Sequence, residues 1–183
     1  MASSFEIKST RPSVGETIVT IVRDHIDYRK QIFKLAGSDL RRTYRASALG
    51  WSWAIIKPLV TIFVYWFAFA IGLRRGGDIE GYPFVLWLIS GIVPWFYMSE
   101  MLTLGTECIL RNRYLVTKMK YPVSTIPTFT SISKFSVHLI LMMITIFIFV
   151  ITGNELTIYL VQLPFYMLCN FLFFTGWAMF AAP

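Results

Sequence analysis

The chain has 183 residues, of which 56% are apolar and 17% aromatic, and its formal charge is +7. Soluble domains average about 45–50% apolar, and here the excess lies almost entirely after residue 51, which excludes an ordinary soluble domain and points to an integral membrane protein with a polar lead-in. The basic residues stand beside apolar stretches, so the positive charge suits an anionic membrane surface rather than nucleic acid.

Residues 1–50 form a polar N-terminal segment, with 51–183 as the membrane domain. No apolar core follows Met1 closely enough for a signal peptide. From Glu16 to Ala48, apolar residues such as Ile18, Ile21, Val22, Ile26, Ile32, Phe33, Ala36 and Leu40 recur at threes and fours, with charges between them. This predicts one or two amphipathic helices lying in the membrane interface, broken near Gly37. The segment either rests on anionic lipid or docks against a partner or pathway. Its end, "DLRRTYRASALGWSWAIIKPLV" (39–60), turns from a basic ribbon into apolar sequence, with Trp51 and Trp53 placed as interface anchors. Lys57 lies one turn inside. Its stem can run along the helix so that the ammonium reaches the headgroups, or it marks a pathway mouth.

A helix needs about 20 apolar residues to cross a bilayer. Four stretches qualify, at about 54–73, 82–104, 134–152 and 156–181, with Pro58, Pro94 and Pro164 as possible kinks. The expected fold is therefore all-α. Residues 1–53 hold nine Lys and Arg, the loop after the first stretch holds Arg74 and Arg75, and the loop after the second, with Lys134 at its edge, holds five. The loop after the third holds none. This alternation puts the N-terminus and the 105–134 loop on the cytoplasmic side.

The first two stretches are rich in aromatic residues, among them Tyr65, Trp66, Phe69, Trp87 and Trp95. Trp87, Gly91 and Trp95 share a helix face by their four-residue spacing. Such faces can stack on sugar C–H faces or simply belong to lipid-facing belts. Glu100, near the end of the second stretch, is a functional candidate or an interface residue. In the loop "RRGGDIEGYP" (74–83), Asp78 and Glu80 read as a solvated turn rather than a cation site. In the inner loop "LRNRYLVTKMKYPVSTIP" (110–127), Arg111, Tyr114, Leu115, Lys118 and Met119 can share one side of a short helix, with Pro122 and Pro127 fixing its exit. A basic and apolar knob of this kind suits a partner's groove, though an ordinary positive-inside loop has the same composition. His138 reads as a helix-packing residue, and Cys108 and Cys169 as small apolar fillers. None of the eleven glycines is followed by lysine, so the chain has no P-loop.

Four segments together carry a resemblance: "LAGSDLRRTYRASALGWSWAIIKPL" (35–59), "YWFAFAIGLRRGG" (65–77), "LISGIVPWFYMSE" (88–100) and "LVTKMKYPVSTIP" (115–127). They resemble the polysaccharide-exporting permeases of the ABC-2 type, and within these the teichoic acid translocation permeases of Gram-positive bacteria. Export permeases for O-antigen and capsule are close relatives. The resemblance covers about residues 25–182. It implies six membrane spans, of which four are present here, so the chain is expected to be truncated at its C-terminus.

The resemblance further implies a homodimer in the bacterial plasma membrane, paired with ATP-binding cassette subunits that hold the ATP and Mg²⁺. This chain itself would bind no cofactor and carry no catalytic site. Residues 110–121 match the first coupling helix, which makes Arg111, Arg113, Tyr114, Leu115, Lys118 and Met119 the expected ATPase contacts. Residues 28–49 match the interfacial helix beside the point where substrate enters. Arg41, Arg42, Arg45 and Lys57 are the groups expected to meet a lipid diphosphate, which arginine's planar fork suits. Tyr65, Trp66, Phe69, Trp87 and Trp95 are the expected path aromatics. The competing readings are an ABC-2 exporter of small hydrophobic molecules, a membrane-embedded lipid-sugar transferase and a scaffold.

Overall fold

A computed structural model describes residues 13–45, 50–72, 76–79, 81–119, 121–153 and 158–182. Its named elements are all helices, and the one β-bridge among the described residues pairs Ile79 with Tyr82 in a loop. Four helical stretches are long and apolar enough to cross a membrane: Gly50–Gly72, Phe84–Gly105, Val123–Ile151 and Ile158–Ala181. The chain is a multi-pass, all-α membrane protein.

Helix α1 (Val14–Asp27) begins at a capping box in which the Ser13 hydroxyl accepts from the Glu16 amide and the Glu16 carboxylate accepts from the Ser13 amide. It buries none of its residues, and Val14, Ile18, Val19, Val22 and Ile26 form an exposed apolar set, as an interface helix requires. Helix α2 (Arg29–Arg45) follows after one residue, Tyr28. The break thus falls at Tyr28 and not near Gly37, which lies inside α2. Glycine in a helix costs about 1 kcal/mol relative to alanine, but α2 is held from outside. Its Ile32 and Ala36 are buried against Cys108, Leu115, Tyr121, Ile126 and Phe129, and the Tyr28 ring meets the Tyr121 ring edge-on at 5.5 Å. So α2 is built into the protein.

The first two membrane helices are α3 (Trp53–Trp66), continued by a π-helical stretch to Gly72, and α4 (Phe84–Glu100), continued likewise to Gly105. The connection after α4 makes two short helices, α5 (Cys108–Arg111) and α6 (Arg113–Met119). Asn112 separates them, and its side chain donates to the Cys108 carbonyl.

Helix α7 (Ile126–Ile151) is the central element and touches α2, α3, α4 and α8. It begins eight residues before the apolar stretch expected at 134. Pro127 lies in its first turn, where a missing N–H costs nothing. Part of its polar opening is tied to other elements. Thr128 bonds the His25 ring and Ser124, just upstream, donates to Asp24, which ties α1 to this end. At about 1.5 Å per residue, 26 residues exceed a bilayer core, and the extra length is what α2 covers. Helix α8 (Gln162–Ala181) packs on α7 and on the π-helical end of α4 through Phe174, Thr175 and Ala178.

A buried hydroxyl chain joins α4, α7 and α8. Thr175 donates to the Phe171 carbonyl, so Ser131 donates to Thr175 at 2.6 Å and Tyr97 to Ser131 at 2.8 Å. Cys108 is a core residue as expected, and burial pushes its thiol up to about 11. Cys169, by contrast, is exposed on α8.

Candidate functional site

Helices α3, α4 and α7 enclose a cleft of about 260 Å³. From α3 come Trp53, Lys57 and Tyr65, from α4 Trp95 and Glu100, and from α7 Lys134 and His138. The helices meet through Ile62, Ile89, Val93, Leu141 and Met142, which leaves the cleft on one side of an apolar seam. Pro58 cannot donate to the Ala54 carbonyl one turn back, and both residues line the cleft.

The electrostatics centre on Lys134. Its side chain is 5% exposed, and the Glu100 carboxylate stands 3.9 Å from the ammonium. A charge-assisted hydrogen bond is closer to 2.7–2.9 Å, so this pair is not closed. Lys134 also lines a small adjoining cavity with Asp39 and Arg111. His138 stacks on Tyr97 at 5.5 Å, and its Nδ1 has no hydrogen-bond partner among the described residues. The same histidine borders a second, apolar groove of about 850 Å³ between α4, α7 and α8.

An aromatic track leaves the cleft. Tyr65 stacks on Phe69 at 6.4 Å, Phe69 meets Phe84 of α4 at 6.3 Å, and Phe84 stacks on Trp87 at 6.1 Å. Three of the expected path aromatics therefore form one contiguous series, with Phe84 as a member that sequence reading missed. Trp95 lines the cleft itself. Trp66 is half-buried and pairs with Phe63 at 5.9 Å, apart from this series.

The four cations assigned to a lipid diphosphate fall into two places. Lys57 faces the cleft, whereas none of the three arginines lines it. Arg41, Arg42 and Arg45 are exposed near the end of α2, where positive charge also complements the helix dipole. Arg42 shares a small groove with Tyr114, so the interfacial helix and the inner-loop knob adjoin. In that knob Arg111, Arg113, Tyr114, Lys118 and Met119 are exposed, Met119 by 66%. Leu115 does not share their side. It is 2% exposed and packs into the core beneath α2, because the two-helix turn at Asn112 directs it inward. Arg74, Arg75, Glu80 and Lys120 lie outside the described residues, which leaves Asp78 as an exposed loop carboxylate.

The residue that sequence reading undervalued is Lys134, taken there only as a charge at the edge of a span. The available signal was its place in an apolar stretch seven positions after Pro127, since an ionisable group inside a membrane helix is a functional candidate. The inward-facing partner could not be read, because Glu100 is 34 residues away in sequence.

No family model matches the chain. It is similar to an O-antigen export system permease protein RfbA of Myxococcus xanthus, 29% identical over 130 residues that make up 69% of this chain and 48% of the relative. It is also similar to an O-antigen export system permease protein RfbA of Klebsiella pneumoniae, 28% identical over 93 residues, which are 51% of this chain and 34% of that protein. The chain spans about half the length, or less, of these curated relatives.

Proposed function

We propose that this chain is the membrane subunit of an ABC exporter that moves lipid-linked polysaccharide across the bacterial plasma membrane. The observation that carries this reading is the aromatic track leading out of the charged cleft. Flat apolar rings in series offer stacking surfaces to successive sugars without a strong site at any one of them, which suits a polymer in transit better than a single small ligand. The cleft's ammonium groups supply charge for a phosphate at the polymer's lipid end. The similarity to O-antigen export permeases supports the same class.

The energy comes from a separate ATP-binding subunit, which carries ATP and Mg²⁺. The exposed knob of Tyr114, Lys118 and Met119 is the docking point, since an aromatic and basic protrusion fits a partner's groove. Two copies of the chain form the path, with the N-terminus cytoplasmic. Arg41, Arg42 and Arg45 gather anionic lipid at the interface beside the knob. For the polymer itself, the named relatives favour an O-antigen-type polysaccharide, and the sequence resemblance favours teichoic acid.

The test is co-purification of the full-length protein with candidate ATP-binding subunits, followed by export of each lipid-linked polymer from reconstituted vesicles. A stoichiometric complex that is lost in Tyr114→Ala/Lys118→Glu, with export of one polymer, is the expected result. Well-inserted protein that binds no ATP-binding subunit under any condition would overturn the exporter reading.

A further inference from the structure

Lys134 is the one buried cation among the described residues. An ammonium has three donors, and a desolvated one costs several kcal/mol unless it is well paired. Its single ion-pair partner is held at 3.9 Å, beyond hydrogen-bond reach. Glu100 is itself 39% exposed, so its carboxylate has room to turn away from the ammonium. Lys57 lines the same cleft, which therefore presents two ammonium groups to one carboxylate. Behind Lys134, Asp39 and Arg111 in the adjoining cavity offset each other in charge. The cleft as a whole thus has an excess of positive charge and an incompletely satisfied cation at its back.

Its walls add a second kind of chemistry. Trp53, Tyr65 and Trp95 border the space that Lys57 and Lys134 face. Phosphate oxygens suit the cations and sugar rings suit the aromatic faces. The surrounding helices are apolar enough to lie in lipid, so a ligand with a lipid tail can reach the cleft from the side.

We propose that Lys134 is an anion-receiving group, that Glu100 is its resting counter-ion, and that the ligand is the phosphate of a glycosylated membrane lipid, which takes the place of Glu100 at the ammonium. No covalent bond forms or breaks. One anion replaces another, and the part-exposed Glu100 carboxylate swings away from the ammonium. The exchange removes the one ion pair described between α4 and α7 and so couples occupancy to the freedom of these two helices. This site deepens the exporter reading and rests on it for the biological role of the lipid, while binding can be measured independently.

The full-length protein is placed in phosphatidylcholine nanodiscs without any ATP-binding subunit. It is titrated with a glycosylated isoprenyl diphosphate, with phosphatidic acid and with inorganic phosphate. Binding of the glycosylated probe is expected to weaken at least tenfold in Lys134→Gln, to stay within threefold in Lys134→Arg, and to tighten at least threefold in Glu100→Gln. The last variant keeps its shape and removes only the competing charge, so it decides the matter even if Lys134→Gln fails to fold. Unchanged affinity in Glu100→Gln would overturn the counter-ion exchange. Phosphatidic acid binding as tightly as the glycosylated probe would overturn the glycolipid assignment in favour of ordinary headgroups. Inorganic phosphate binding as tightly would overturn the need for a lipid. Loss of the site leaves the ATP-binding partner test untouched, and failure of that test leaves the binding result standing.

Discussion

Among single residues, the hydroxyl chain from Tyr97 through Ser131 to Thr175 makes a prediction that depends on its direction. Tyr97 is the donor at the head of the chain. Tyr97→Phe removes that donor and leaves Ser131 still donating to Thr175, so no buried O–H is orphaned. Hydrogen bonds between membrane helices average about 0.6 kcal/mol, and a loss of that order is expected. Ser131→Ala is different, because it strips the acceptor from Tyr97, which is 2% exposed. A buried donor left unsatisfied costs about 1–3 kcal/mol. Unfolding midpoints in mixed micelles should therefore fall further for Ser131→Ala than for Tyr97→Phe, although serine is the smaller side chain. Equal losses would mean that the chain does not run in this direction.

Among elements, the contact between the π-helical end of α4 and helix α8 depends on Gly105. A Cβ placed there would stand 3.1 Å from the Ala178 Cβ and 3.0 Å from the Met101 Cε. The methionine tip can move, but Ala178 is anchored to the α8 backbone and is fully buried. Gly105→Val should push α8 away and destabilise the protein by about 1–3 kcal/mol, and the Gly105→Ala/Ala178→Gly exchange should restore most of the loss of the corresponding single alanine. Thermal unfolding of the three variants measures both effects. Such close approaches are invisible in sequence, where Gly105 is one small residue in an apolar run. The four membrane stretches were legible because hydropathy integrates over some twenty residues. The start of α7 was not, since its threonines and serines look like a loop until α1, α4 and α8 supply partners for Thr128 and Ser131. The same reason explains the break at Tyr28. Periodicity carries through it, and only the packing of Tyr28 on Tyr121 shows where the chain bends.

For the whole molecule, charge and geometry jointly define a polarity. The cleft, the arginines of α2 and the knob all adjoin the α1–α2 end of the helices, as shown by Arg42 beside Tyr114 and Lys134 beside Asp39. Asp78 lies in the loop that joins the opposite ends of α3 and α4. That much of the site was legible as cations and aromatics in sequence, but the grouping was not. The ammonium expected beside the arginines sits instead with Glu100 and Lys134, because helix rotation and not sequence distance decides which face a residue shares. The segments before α3 and between α4 and α7 carry nine and five Lys and Arg, Lys134 included, against two in the α3–α4 loop and none between α7 and α8. Short loops with that bias remain on the cytoplasmic side. With Cys108 and Cys169 replaced by serine, a cysteine at Thr117 on the exposed side of α6 should react with a membrane-impermeant maleimide only in inside-out vesicles, and one at Asp78 only in right-side-out vesicles. Reaction of both from the same side would contradict an odd number of crossings between them. A clean reversal would place the knob and the cleft's charged end outside the cell, where no ATP-binding subunit could reach them, and would remove the exporter reading together with the orientation.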